Sequence, residues 1–208
     1  MHRALFQPPA HSARWEAEIR RFEEQDRTAP PTPGSILFLG SSTIRLWKTL
    51  RDDFPGLPVL NRGFGGSTIA DSTAFVDRIV TPYRPRRIVF YAGDNDLAEG
   101  LLPGEVVRDF EAFVRRVRRD LPDTGIAFLA IKPSLARAKL QARAREVNGR
   151  IKQFASRTRG VEFIDTFTPM LTPAGDARPE LFGPDGLHMN RDGYALWRDI
   201  VAPALGPR

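Results

Sequence analysis

A three-layer α/β/α domain built on a five-stranded parallel sheet is the fold the sequence predicts, on three observations. Five short apolar runs recur along the chain: "ILFLG" (36–40), "PVLNRG" (58–63), "RIVFYAG" (87–93), "IAFLAI" (126–131) and "VEFID" (161–165). Longer stretches with apolar residues at helical spacing separate them. The runs are nearly continuous in apolar residues rather than alternating, which is the pattern of strands covered on both faces.

The elements follow in order. Residues Ser12 to Arg27 place Trp15, Ile19 and Phe22 at helical spacing with Glu and Arg between them, so an amphipathic helix is expected, with Ser12 a candidate N-cap. "TAPPTPGS" ends it, because proline cannot continue a helix. Residues 1–34 therefore read as a helical extension and residues 35–208 as the main domain. Within that domain helices are expected near Ile44 to Arg51, Ile69 to Val80, Pro103 to Asp120, Leu135 to Arg157 and Asn190 to Ala204, the last capped by Asn190. Five strands with crossover helices suggest the flavodoxin-like order 2-1-3-4-5.

Composition narrows the class. The chain has 208 residues, 41% hydrophobic and 27% charged, enough for one well-cored domain. No stretch reaches the roughly 18 to 20 apolar residues of a membrane helix, and Met1 to Ala10 hold two prolines in place of a signal core, so no membrane span and a cytoplasmic location are expected. There is no cysteine, which excludes disulfides and thiolate chemistry. The three histidines, His2, His11 and His188, are too scattered for a metal cluster, so no metal is expected. The net charge of +6 comes largely from arginines interleaved with apolar residues, including Arg108, Arg115, Arg119, Arg143 and Arg150. These read as solvated helix faces, and no nucleic-acid motif accompanies them.

Ligands of open parallel sheets bind outside the carboxyl ends of the strands, so the polar loops there carry the functional signal. "GPDGLHMN" holds the only internal histidine, with Asp185 three residues before His188 and Gly186 between them to let the chain turn. A carboxylate so placed can fix the imidazole tautomer and free the other ring nitrogen to take a proton. "GSST" after the first strand offers Ser41, Ser42 and Thr43 as competing nucleophiles at a strand-to-helix turn, against the alternative of ordinary helix capping. "NRGFGGST" lets the backbone approach closely, so the Gly66 amide could face a developing oxyanion, as could the side-chain amide of Asn95 in "AGDND". The innocent alternatives are a turn at Gly65 and Gly66 and an Asx-turn at Asn95 and Asp96.

These blocks resemble those of the SGNH hydrolases, also called GDSL-type esterases and lipases. "FLGSSTI" is similar to the family's serine block, "NRGFGGST" to its glycine block, "AGDND" to its asparagine block and "DGLH" to its aspartate–histidine block, in the family's order over about 150 residues. The likeness is greatest to small, lidless members of the platelet-activating-factor acetylhydrolase type. The resemblance implies Ser42 as nucleophile, His188 as base, Asp185 as its partner, and the Ser42 amide, Gly66 amide and Asn95 side chain as oxyanion hole. One departure stands out: Ser41 occupies the place of the family's aspartate.

The implied activity is cofactor-free hydrolysis of short-chain carboxylic esters through an acyl-enzyme, including acetyl esters of sugars or lipid-like alcohols. The substrate is a small molecule, and a homodimer is compatible with the family. Trp47, Phe64 and Leu97 flank the expected site and are candidates for a substrate pocket, while Lys132 and Arg137 in "IKPSLAR" could meet an anionic leaving group. The rival reading is a flavodoxin-like module whose "GSST" loop cradles a phosphate or a flavin. It leaves Asn95 and the Asp185 to His188 spacing without a role.

Overall fold

The computed structural model describes residues 10–206, so Met1–Pro9, with His2 and the proline-bearing start, lie outside the described residues. The strands are β1 (Ile36–Gly40), β2 (Val59–Gly63), β3 (Arg87–Tyr91), β4 (Gly125–Leu129) and β5 (Val161–Ile164). All pair in parallel, in the order 2-1-3-4-5. The register aligns Gly40 with Gly63 on one side and Tyr91 on the other, so three strands end level.

Period-two alternation within the runs sorts their side chains between two cores. Leu37, Leu39, Ile88, Phe90, Ile126 and Phe128 share one. There they meet helices α4 (Ile69–Ala74), α5 (Val76–Ile79), α7 (Pro103–Asp120) and α8 (Gln141–Ser156). Phe90 stacks on Phe113 with ring centroids 4.4 Å apart. Ile36, Phe38, Val89, Tyr91, Ala127 and Leu129 share the other, beneath α2 (Ser42–Arg45), α3 (Leu50–Asp53) and α9 (Arg191–Val201). Burial on both sides is why β1, β3 and β4 carry almost no polar residue, whereas the edge strands β2 and β5 keep Asn61, Arg62 and Glu162.

The N-terminal helix α1 (Glu16–Thr28) joins the first core through the fully buried Ile19. Arg78 of α5 holds it by bonds of 2.6 Å to both Glu16 and Glu23. Asp26 accepts from Arg62 and, at 2.6 Å, from the Tyr83 hydroxyl. Ser12 does not cap this helix: it lies in a preceding 3-10 turn, Ala10–Trp15, so the α-helix starts only at Glu16, and the Ser12 hydroxyl donates 2.7 Å to the buried Asp71 carboxylate.

Two expected helices are broken. The stretch 44–51 divides into α2 and α3 around Trp47, whose indole N–H donates 2.6 Å to Asp53. The stretch 69–80 divides into α4 and α5 at Phe75. Helix α8 starts only at Gln141, because the segment before it is tied elsewhere, with Ala136 N–H donating 3.0 Å to the Gly186 carbonyl. The short α6 (Asp94–Ala98) has no apolar periodicity to announce it in the sequence. Asn190 caps α9 as expected, accepting from the amides of Asp192 and Gly193.

Gly40 is a position at which the sheet tolerates no side chain. Its φ is +141°, and a Cβ there would stand 1.8 Å from the Tyr91 carbonyl oxygen. Gly149, on the exposed side of α8, has nothing within 4 Å of a Cβ. Gly40→Ala is therefore expected to abolish or severely lower the thermal transition, whereas Gly149→Ala stabilises by about 0.8–1 kcal/mol. Paired melting curves check both.

Candidate active site

The nucleophile turn is set by the close pairing of β1 and β3. After Gly40, the Ser41 amide donates 3.0 Å to the Tyr91 carbonyl, and α2 begins at Ser42. The Asn61 side chain ties this turn to β2, donating 2.7 Å to the Ile44 carbonyl and accepting 2.9 Å from the Gly63 amide. Tyr194 of α9 braces it from the other side, its hydroxyl donating 2.9 Å to the Thr43 carbonyl.

The three competing hydroxyls have different surroundings. Ser41 is fully buried, makes no side-chain cap, and its hydroxyl has no hydrogen-bond partner. Thr43 is 2% exposed. Ser42 is half-buried, and its Oγ lies 3.0 Å from His188 Nε2.

On the far side of the ring, His188 Nδ1 lies 2.6 Å from Asp185 Oδ2. The other carboxylate oxygen accepts the amides of Leu187 and His188, each at 2.9 Å. The bond to His188 and these two amides hold the Asp185 carboxyl far below the ordinary carboxylate range. An ionised carboxylate only accepts, so Nδ1 carries the ring hydrogen and Nε2 is left to accept from Ser42.

Asn95 lies at the start of α6, 9% exposed. Its Nδ2 donates 3.0 Å to the Ser67 carbonyl, and its Oδ1 accepts 3.0 Å from Arg137 Nη2. This joins the asparagine block to the glycine block through a contact other than an Asx-turn. Gly66, in that second block, is exposed and has φ of +78°. The Trp15 ring lies 3.2 Å from where its Cβ would stand.

The expected pocket residues divide differently. Trp47 and Phe64 are 1% and 0% exposed, so the expectation that they line a substrate pocket is corrected: both are core. Trp47 meets Phe38, Phe54, Tyr194 and Trp197, and Phe64 meets Trp15 and Phe75. Continuous aromatic packing excludes substrate from both. Leu97 is likewise buried, in the core between α6 and its neighbours. Lys132 is buried and turned toward the histidine loop. Its ammonium donates 2.7 Å to the Leu187 carbonyl, and burial lowers its pKa to about 8. Arg137 is engaged by Asp94 at 3.0 Å as well as by Asn95.

Residues 38–196 match the GDSL-like lipase/acylhydrolase family. The chain belongs to that family. That membership makes it a hydrolase of the lipase/acylhydrolase type, and it lends no support to the phosphate- or flavin-binding rival. Its fold is similar to a protein from Streptococcus pneumonia provisionally named a platelet activating factor, at 24% identity, 92% coverage of each chain and TM-score 0.82. It is also similar to a provisionally named acylhydrolase from Bacteroides fragilis (20% identity, 91% of this chain and 96% of that one, TM-score 0.80). A catalytic mutant of an acetylxylan esterase from Geobacillus stearothermophilus is more distant (17% identity, 85% and 96%, TM-score 0.66). At these identities the structures speak for a shared fold. No curated protein matches the chain. Among the described residues of this GDSL-family hydrolase, no helix is long and apolar enough to cross a membrane.

Asp96 is a buried carboxyl that sequence reading treated only as a turn residue. Its Oδ1 accepts 3.0 Å from the Ile69 amide, its Oδ2 has no hydrogen-bond partner, and burial raises its pKa to about 7. The fold thus favours the protonated form. Stability from this group is complete below the ordinary carboxylate range and lost as pH rises through about 7. Asp96→Asn keeps an acceptor for Ile69 and removes the titration. Between pH 5 and 8 the wild-type melting temperature is expected to fall further than that of the variant, which differential scanning calorimetry reads directly.

Proposed function

We propose that this GDSL-family hydrolase is a serine esterase acting on short-chain carboxylic esters by way of an acyl-enzyme. The observation that carries the reading is the unbroken chain from Asp185 through His188 to Ser42, with contacts of 2.6 and 3.0 Å. Distances of this kind satisfy the reach required of a nucleophile and its base.

In the proposed reaction, Ser42 Oγ attacks the ester carbonyl carbon as its proton passes to His188 Nε2. The carbonyl π electrons move onto oxygen, forming a tetrahedral oxyanion. That anion is met by the backbone N–H groups of Ser42 and Gly66 and by Asn95 Nδ2, which has a second hydrogen beyond the one given to Ser67. Collapse expels the alcohol, which takes the proton from His188 and leaves an ester on Ser42. Water then repeats the sequence with His188 as base, releasing the carboxylic acid and restoring the serine. Asp185 stays ionised throughout and stabilises the imidazolium each time it forms.

Acetyl esters of sugars or lipid-like alcohols are the substrate class we favour. Support comes from the acetylxylan esterase among the structural neighbours and from the partial exposure of Ser42 and His188, which suits a small acyl group reached from solvent.

Ser42→Ala is expected to lose essentially all turnover of p-nitrophenyl acetate. Asn95→Ala is expected to fall about 100- to 1000-fold in kcat. A serine-directed phosphonate is expected to modify the peptide containing Ser42. Modification at Ser41, or wild-type turnover by Ser42→Ala, overturns the assignment.

A further inference from the structure

The segment leaving β4, Lys132 to Arg137, touches both halves of the proposed site. It is anchored first: Asn148 of α8 accepts 2.8 Å from the Ile131 amide and donates 3.0 Å to the Ile131 carbonyl. From this fixed point Lys132 reaches inward, 4% exposed, with Nζ 2.7 Å from the Leu187 carbonyl and 5.5 Å from the Phe182 ring centroid. Two turns of contact follow on the same loop. Ala136 N–H donates 3.0 Å to the Gly186 carbonyl, and Leu135 Cβ lies 3.0 Å from the place a Gly186 Cβ would take. The two peptide carbonyls immediately before His188 are therefore held by this one segment.

Arg137, at its far end, turns to the other half. Nη1 donates 3.0 Å to Asp94 Oδ2, and Nη2 donates 3.0 Å to Asn95 Oδ1. A guanidinium has no acceptor, so whichever amide atom of Asn95 it meets must be the oxygen. The amide nitrogen is thereby turned the other way, toward the glycine block, where it donates to Ser67. The guanidinium charge of Arg137 beside Oδ1 also draws electron density from the amide nitrogen, which strengthens its hydrogens as donors.

We propose that Lys132 and Arg137 are positioning residues for the hydrolytic reaction. Lys132 fixes the loop that carries His188, and Arg137 orients and polarises the Asn95 amide that receives the oxyanion. The proposal rests on the serine esterase reading. It assigns to a segment outside the four recognised blocks the task of keeping base and oxyanion donor in register with Ser42.

A double-mutant cycle with p-nitrophenyl acetate tests it. Arg137→Met is expected to lower kcat about 10- to 100-fold with KM little changed, because a misaimed donor is missed mainly in the transition state. In the Asn95→Ala background the same substitution is expected to cost almost nothing further, since its target is gone. Lys132→Met is expected to lower kcat similarly and to add little in the His188→Ala background. Arg137→Lys keeps the ion pair with Asp94 but cannot serve two acceptors through parallel N–H groups. It is expected to melt like wild type with a reduced kcat, which guards against loss of folding in the methionine variant.

Losses that multiply fully in the double variants, or wild-type kcat in a folded Arg137→Lys, overturn the proposal. Failure of the underlying reading looks different: Asn95→Ala and His188→Ala would then themselves retain turnover.

Discussion

Both faces of the parallel sheet are covered, and most other features of the molecule follow from that. With Phe90, Phe110 and Phe113 on one side and Phe38, Trp47 and Trp197 on the other, the interiors of the central strands β1, β3 and β4 admit only apolar side chains. Backbone polarity is satisfied laterally by the ladder. Polar side chains are displaced to the strand ends, and three of those ends stop level at Gly40, Gly63 and Tyr91. A reactive group has few other places to stand.

Close approach of backbones at that edge then fixes the chemistry. Gly40 passes within a side chain's breadth of Tyr91, and a Cβ at Gly63 would lie 2.2 Å from the Arg45 amide. The turn this creates buries Ser41 and presents Ser42, one residue on, to an imidazole 146 positions away in the chain. Ser41 is a small, buried side chain whose hydroxyl has no hydrogen-bond partner, and the Ser42 to His188 contact forms beside it.

The N-terminal segment is more closely involved than its amphipathic pattern suggested. Ser12 donates to Asp71, and Asp71 in turn completes a reciprocal cap with Thr68 just beyond Gly66. Arg14 meets Glu99 at the end of α6, and Trp15 lies against Gly66 and Phe64. The glycine block is thus bordered by residues far upstream of it. Short-range patterns could not reveal this, because Ser12 and Asp71 are related only through the packed core.

What the sequence determined by itself was whatever depends on local order. Near-continuous apolar runs gave the strands, their spacing gave a doubly covered parallel sheet, and the D-x-x-H spacing placed Asp185 beside His188, because a three-residue turn with Gly186 leaves the carboxylate little choice. Read as residues alone, Ser41, Ser42 and Thr43 stay open and only the family resemblance points to Ser42; tertiary packing buries Ser41 and Thr43 and brings the Ser42 hydroxyl to the imidazole. It also moved Trp47 and Phe64 into the core, and it turned Lys132 and Arg137 inward to Leu187 and Asn95. Those outcomes depend on contacts between segments distant in the chain, and such contacts leave no periodicity for a sequence to display.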